Sequence, residues 1–115
     1  MSIQRFDVGP RMSQAVVHGD RVYLAGQVAD DTSQDVAGQT RQILTKIEAL
    51  LEKAGSSKDK LLTANVWLSD ISTFNEMNSV WDPWVDKENP PCRACVESKL
   101  ATPAFTVEIM VVAAR

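Results

Sequence analysis

The sequence of 115 residues contains a single histidine and only two cysteines, and these low counts exclude several kinds of site. A structural zinc site needs four ligands, usually Cys or His, and only three such residues are present. We therefore expect no metal site, and a catalytic pair of histidines is excluded. His18 precedes Gly19-Asp20 between two β-rich runs, so we expect it to flank an exposed hairpin turn.

The two cysteines lie in Cys92-Arg93-Ala94-Cys95, a spacing that is also found in thiol redox motifs. A redox motif needs its first cysteine at a helix N-terminus, whereas this segment follows Pro90-Pro91 and continues into a strand-like stretch. In an extended segment, residues three apart have Cα atoms about 10 Å apart, beyond the roughly 7 Å limit for a disulfide. We therefore expect neither a disulfide nor a redox role.

A long apolar run and an excess of positive charge are also missing. The sequence has no 18-residue apolar stretch, and residues 1–7 lack the apolar segment of a signal peptide. Lys and Arg total 12 against 15 Asp and Glu, which gives a formal charge of −3 and disfavours binding to nucleic acid or an anionic membrane. We expect a cytoplasmic protein with neither kind of partner.

The composition is that of an ordinary folded protein, with 44% hydrophobic and 23% charged residues. At this length we expect one domain over residues 1–115, without room for a separate cofactor module. Hydrophobic periodicity predicts strands and helices in the order β-ββ-α-β-α-ββ. The predicted strands cover residues 3–7, 14–18, 21–28, 61–68, 92–97 and 104–112.

Two helices are predicted between these strands. The first begins near residue 35, where Thr32 or Ser33 can cap it, and Gly55 can end it. The second begins at residues 70–72, and it should kink or end near Pro83 because proline lacks a backbone donor. For Trp67, Trp81 and Trp84 we favour core packing over ligand stacking. The sequence thus supplies two amphipathic helices to cover a sheet.

Two βαβ crossovers predict an α+β fold in which one mixed sheet carries both helices on the same face. The other face stays uncovered, and apolar residues such as Met110 and Val112 on it predict contact with further copies of the chain. If the last two strands are neighbours, alternation places Arg93, Cys95 and Glu108 together on that uncovered face.

The residues Arg93, Cys95 and Glu108 allow two interpretations. In the first, they form an ion pair or contacts between subunits. In the second, Arg93 binds a carboxylate-bearing ligand and Glu108 acts as a base that activates water. Cys95 has no histidine near it in sequence, so nucleophilic catalysis by a cysteine has little support.

The segment from Pro91 to Glu97, followed by Val107-Glu108-Ile109, resembles the C-terminal signature of the Rid/YjgF reactive intermediate deaminases. The blocks 13–16, 23–27 and 74–78 also resemble the family in the right order, so the similarity covers essentially the whole chain. It implies a chorismate-mutase-like six-stranded sheet with two helices, assembled as a homotrimer with sites between subunits. The implied reaction is hydrolysis of 2-iminopropanoate or 2-iminobutanoate to the 2-oxo acid and ammonia, without a cofactor.

The resemblance also implies roles for individual residues. Arg93 matches the arginine that binds the substrate carboxylate, and Glu108 matches the acidic residue near the attacking water. Cys95 matches a pocket thiol, Gly26 a backbone contact and Asn78 a polar contact. The expected substrate-binding set is completed by Ala94, Ala25 and Met12.

Two departures from the family pattern place the chain in a divergent subgroup. Met12 stands where the family's imine hydrolases carry tyrosine, and Ala25 stands where serine is usual, so two hydroxyls are missing. Arg11 is an extra cation, either on the surface or as a second anchor. The alternative function is a non-catalytic trimer that binds a small carboxylate as a sensor or stabilising factor. Ribonuclease activity is disfavoured by the charge and by the lack of a histidine pair.

Overall fold

The computed structural model describes residues 2–115 and contains six strands and two α-helices in the predicted order. The helices are α1, Val36–Lys53, and α2, Phe74–Trp84. Single turns of 3₁₀ helix at Lys58–Lys60 and Ile71–Thr73 precede β4 and α2. The strands are β1, Ile3–Val8; β2, Ser13–His18; β3, Arg21–Leu24; β4, Leu61–Leu68; β5, Cys92–Glu97; and β6, Val107–Ala114.

The strands form one sheet in the order β1-β2-β3-β6-β4-β5. Only β4 and β5 pair in parallel, and all other neighbours are antiparallel. The predicted mixed sheet with two helices is confirmed. Two predicted strand limits are wrong: β3 ends at Leu24 rather than at residue 28, because a bulge interrupts the pairing before Gln27, and β6 begins at Val107 rather than at residue 104. The assumption that β5 and β6 are neighbours is wrong, because β4 lies between them: Trp67 pairs with Val96 on one side and with Glu108 on the other.

Both helices cover the same face of the sheet and bury a single hydrophobic core. From α1 the core receives Ile43 and Ile47, neither with exposed surface, and from α2 it receives Met77 and Trp81. Alternate strand residues complete it, because successive side chains point to opposite faces. The strand contribution comprises Ala15, Val17, Val22, Leu24, Ala64, Val66, Leu68, Val107, Ile109, Val111 and Ala113.

The opposite face of the sheet, here called the open face, carries no helix of the described chain. Tyr23 is 41% exposed and Val96 51% exposed on this face, and Trp67, Met110 and Val112 are partly exposed beside them. The prediction that all three tryptophans lie in the core is therefore wrong for Trp67. None of the helices within residues 2–115 is long and apolar enough to cross a membrane.

The helix ends follow ordinary capping rules. Asp35 caps α1 by accepting a hydrogen bond from Gly38 N at 2.9 Å, so the predicted caps at residues 32 and 33 are wrong. Gly55 follows the end of α1 with φ +84°, a conformation that glycine adopts without strain, which confirms its expected role. α2 ends at Trp84, one residue after Pro83, as the missing backbone donor predicts.

Gln39 of α1 has no exposed surface, and it joins the helix to the segment that leads into β6. Its Nε2 donates to Gln34 O and Ala104 O, each at 3.1 Å, and its Oε1 accepts from Thr106 N at 3.0 Å. Buried backbone groups need such partners, because water cannot replace them. Gln39 therefore helps to hold Thr106, which immediately precedes β6 and lies two residues before Glu108.

We expect Gln39→Leu to lower the free energy of unfolding by about 2 to 4 kcal/mol, because several buried polar groups lose their partners. The matched control is Gln42→Leu on the same helix, whose side-chain hydrogen bonds are exposed. Urea denaturation measures both variants. An equal loss in the two would contradict the proposed importance of burial.

Candidate active site

Arg93 lies on the edge strand β5, and its side chain packs against α2. Its Nη1 donates to Asn78 Oδ1 at 2.8 Å. The guanidinium carbon lies 5.1 Å from the ring centre of Trp81 and 5.7 Å from that of Phe74. A guanidinium can only donate, so the Asn78 oxygen must face it, and the Asn78 Nδ2 remains a donor. The pair therefore offers several N–H groups at one place.

No carboxylate of the described chain neutralises Arg93. The salt bridges within residues 2–115 are Lys46 with Asp30 and Lys53 with Asp7, each at 2.9 Å. Asn78 accepts one of the five N–H groups that a guanidinium carries. The remaining donors suit a carboxylate, which a guanidinium binds through two parallel hydrogen bonds.

Glu108 lies on β6 and faces the open side of the sheet. Its neighbours Val107 and Ile109 are fully buried in the core, so alternation points Glu108 the other way, beside Trp67. Within residues 2–115 its carboxylate forms neither a salt bridge nor a hydrogen bond. A methyl group at Gly26 would overlap Glu108 Oε2 and lie 3.1 Å from its Cδ, so the carboxylate lies directly against this glycine.

A bulge beyond β3 produces this close approach. Tyr23 pairs with Val112, and Gln27 pairs with Ile109. The two pairs are four residues apart on the β3 side but only three apart on β6, so the β3 side contains one extra residue. Gln27 N donates to Ile109 O at 2.8 Å, which restores the pairing after the bulge. Gly26 forms no backbone hydrogen bond with another described residue.

The expected grouping of Arg93, Cys95 and Glu108 on one face is wrong within a single chain. Because β5 pairs in parallel with β4, Arg93 aligns with Ala64 and Cys95 with Val66, both of which face the helices. Glu108 faces the open side. Arg93 is accommodated on the helix side because α2 presents two aromatic rings and an amide oxygen at this edge, and all three contact the guanidinium.

The remaining candidates fall into separate places. Ala25 belongs to the bulge, and its N donates to Gln14 O at 2.9 Å. Ala94 alternates with Arg93 and so lies on the open face. Met12 is 50% exposed just before β2, and Arg11 beside it is exposed without a side-chain partner in the described chain. The structure thus brings together two pairs, Arg93 with Asn78 and Glu108 with Gly26.

Phe74 and Trp81 are neighbours of Arg93 that the sequence pattern did not indicate. Both lie on α2 with Asn78, at helical spacings of four and three residues from it, which places all three on adjacent turns of one side. The aromatic spacing was visible but suggested only core packing. Contact with Arg93 could not be inferred without knowing that β5 lies beside β4.

Cys95 lies on the helix side of β5 and packs against the core. Burial raises the pKa of its thiol above the ordinary value, and the positive charge of Arg93 opposes part of this rise. The thiol is therefore protonated near neutral pH and is a poor nucleophile. Cys92 is exposed on the other face, and both cysteines are free.

The fold defines a class: small mixed-sheet proteins of chorismate-mutase-like architecture. The family profile described as "Endoribonuclease L-PSP" matches residues 2–115. A RutC family protein of Haemophilus influenzae is 43% identical over 114 residues, which cover 98% of each chain. The RutC family protein YoaB of Escherichia coli is 40% identical over 114 residues, or 99% of each chain.

The solved structures agree with the sequence relatives. A crystal structure of a YjgF family member from Neisseria meningitidis matches with a TM-score of 0.97 and 39% identity, covering 100% of this chain and 96% of that one. The chain therefore belongs to the YjgF/RutC family, also called Rid/YjgF. The family resemblance seen in the sequence is confirmed.

Alkylation kinetics test the environment of Cys95. In a Cys92→Ser variant, the midpoint of the pH–rate profile with iodoacetamide should lie higher for the native protein than for the urea-unfolded chain, because burial disfavours the thiolate. Adding Arg93→Ala should raise the midpoint further, since it removes the opposing charge. Mass spectrometry follows the reaction, and a native midpoint at or below the unfolded value would contradict this account.

Proposed function

We propose that this protein hydrolyses reactive 2-imino acids, of the 2-iminopropanoate and 2-iminobutanoate type, to 2-oxo acids and ammonia. The observation that carries the proposal is an arginine without a carboxylate partner, held by Asn78 and two aromatic rings, together with a glutamate that has no partner in the described chain. An arginine of this kind is suited to bind a carboxylate, and a free glutamate is suited to accept a proton.

The placement of these two groups supports a site that is shared between copies of the chain. Arg93 projects to the helix side at the edge of the sheet, whereas Glu108 projects to the open face. One small ligand cannot contact both within a single chain, so a second copy supplies one of them. The apolar open face, with Tyr23 and Val96 exposed, suits such an assembly, and we propose a homotrimer with three equivalent sites.

The proposed reaction needs positioning and one base. Arg93 and the Asn78 amide bind the substrate carboxylate and hold the protonated imine near the Glu108 of a neighbouring copy. Glu108 accepts a proton from a water whose oxygen bonds to the imine carbon, and the Gly26 N–H is available to that oxygen. Glu108 then returns this proton to the nitrogen of the resulting amino alcohol. The carbon–nitrogen bond breaks as the carbonyl forms, and the hydroxyl proton passes to the departing ammonia. The net change is protonated imine plus water to 2-oxo acid plus ammonium.

Met12 and Ala25, which replace the tyrosine and serine usual in the family, affect how the substrate is oriented rather than the chemical steps. Neither side chain can donate a hydrogen bond, so orientation of the substrate falls to Arg93, Asn78 and the Gly26 backbone. The proposed pocket is accordingly lined by apolar groups toward the substrate side chain. This suits the small apolar side chains of alanine-derived and threonine-derived imines.

A second candidate is a trimer that binds a small carboxylate without turnover. The missing hydroxyls at positions 12 and 25 favour it, whereas the free Glu108 beside Gly26 favours the enzyme. The family description also names ribonuclease activity. The formal charge of −3 and a lone, exposed His18 at the β2–β3 turn do not support that activity for this chain.

Competition with a trapping reagent tests the hydrolase directly. Threonine dehydratase or an amino-acid oxidase generates the imine, and semicarbazide traps what is not hydrolysed. The wild type should suppress trapping. Arg93→Ala should lower kcat/KM about a hundredfold, mainly through KM, because the carboxylate loses a charged partner. Glu108→Gln should lower kcat by about a hundredfold or more, with little change in KM.

The matched controls for this assay are Arg41→Ala and Glu88→Gln, which change exposed residues of the same types. Both should retain wild-type kinetics. Failure of the wild type to suppress trapping across several amino-acid-derived imines would refute the hydrolase. Unchanged kinetics in both Arg93→Ala and Glu108→Gln would show that these residues are not the site.

Mixed oligomers test the shared site. Co-expressed Arg93→Ala and Glu108→Gln subunits should recover about one quarter of wild-type activity, because random assembly joins an intact Arg93 to an intact Glu108 at about one site in four. Native mass spectrometry should show three copies of the 12.7 kDa chain. Mixed oligomers no more active than the two parents, or a monomer at micromolar concentration, would contradict the proposal.

A further inference from the structure

We propose that Phe74 and Trp81 form an aromatic clamp that positions the guanidinium of Arg93, with Trp81 as the principal positioning residue. This inference rests on the proposed binding of a carboxylate by Arg93. It goes beyond that proposal because it names residues of α2 that set the affinity through their contacts with Arg93.

The contacts around Arg93 carry the inference. The guanidinium carbon lies 5.1 Å from the Trp81 ring centre and 5.7 Å from that of Phe74, both within the range of a cation–π interaction. Trp81 is only 5% exposed, so its attraction for the cation is weakly screened by water, whereas Phe74 is 38% exposed. Trp81 should therefore contribute more than Phe74.

The far end of α2 holds Trp81 in place. The rings of Trp81 and Trp84 lie 5.4 Å apart, tilted by 50°. Trp84 Nε1 donates to Glu48 of α1, and Lys58 Nζ donates to Trp84 O at 2.7 Å while its ammonium lies 5.3 Å from the Trp84 ring centre. These contacts tie the last turn of α2 to α1 and to the turn before β4. The Trp81 ring is thus a rigid surface for the guanidinium.

A rigid surface matters because an arginine side chain loses about 2 kcal/mol of rotamer entropy when it is ordered. The rings and the Asn78 oxygen order Arg93 before a ligand binds, so this entropy loss does not reduce the affinity for the ligand. A planar guanidinium can stack on a ring, whereas a lysine ammonium is a compact and strongly hydrated charge. The clamp therefore explains why arginine rather than lysine suits position 93.

Binding of 2-oxobutanoate, the expected product, tests the clamp on the full-length assembled protein. Trp81→Leu keeps an apolar side chain but removes the ring, and it should raise the Kd by about tenfold with kcat changed less than twofold. Trp81→Phe should bring the Kd back to within about threefold of wild type, because a ring is restored. Calorimetry gives the Kd, and the trapping assay gives kcat and KM.

Ile47→Val is the control for a general loss of stability, because Ile47 is fully buried on α1 and takes no part in the hydrogen bond or the ring contacts of Arg93. It should lower the melting temperature but leave the Kd within about twofold of wild type. Phe74→Leu provides a second variant at an exposed position, where misfolding is not a concern, and it should raise the Kd by about threefold.

A double-mutant cycle separates positioning from a general structural effect. If Trp81 acts through Arg93, then Trp81→Leu should change the Kd of an Arg93→Lys protein less than twofold. An equal change in both backgrounds, or a wild-type Kd in folded Trp81→Leu and Phe74→Leu, would overturn the clamp. A wild type that binds no 2-oxo acid would also overturn it. If the wild type binds 2-oxobutanoate but does not suppress trapping of imines by semicarbazide, only the proposed hydrolase activity is refuted.

Discussion

The insertion of β4 between β5 and β6 is the constraint on which the candidate site depends. Strand alternation then sends Arg93 to the helix side and Glu108 to the open side, because each is paired in register with the central strand. The two groups with the clearest chemistry are thereby separated by the thickness of the sheet. A small substrate that needs both must lie where one copy of the chain meets another.

Each half of the site is prepared by ordinary packing. On the helix side, a core tryptophan and an amide hold an arginine that no carboxylate neutralises. On the open side, a bulge brings the Gly26 backbone against Glu108 and leaves backbone groups unpaired. Arg93 and Glu108 lie on strands and Asn78 on a helix, while Gly26 lies in the bulge that follows β3. Such rigid placement suits a reaction that needs positioning more than strong chemical activation.

The family profile that matches this chain is named after an endoribonuclease, whereas its relatives are named only as RutC family proteins, a name that states no activity. Such descriptions do not assign chemistry to this chain, and its charge of −3 offers little attraction for RNA. Chemistry is better argued from Arg93 and Glu108 than from the fold, which can support many activities. In the proposed site, the side chains of Met12 and Ala25 offer no hydroxyl to a substrate, whereas Arg93 and Glu108 are both present.

The number and order of the strands and helices were determined by the sequence alone, because hydrophobic periodicity and residues such as Gly55 and Pro83 act locally. The limits of β3 and β6 were not, because where a strand ends depends on its pairing with neighbours. The identity of Arg93 and Glu108 as candidates also came from the sequence. Their separation on opposite faces, and the contact of Arg93 with Trp81, were decided only by the tertiary structure. Which strands become neighbours depends on long-range packing of the helices, and alternation within one strand carries no information about that choice.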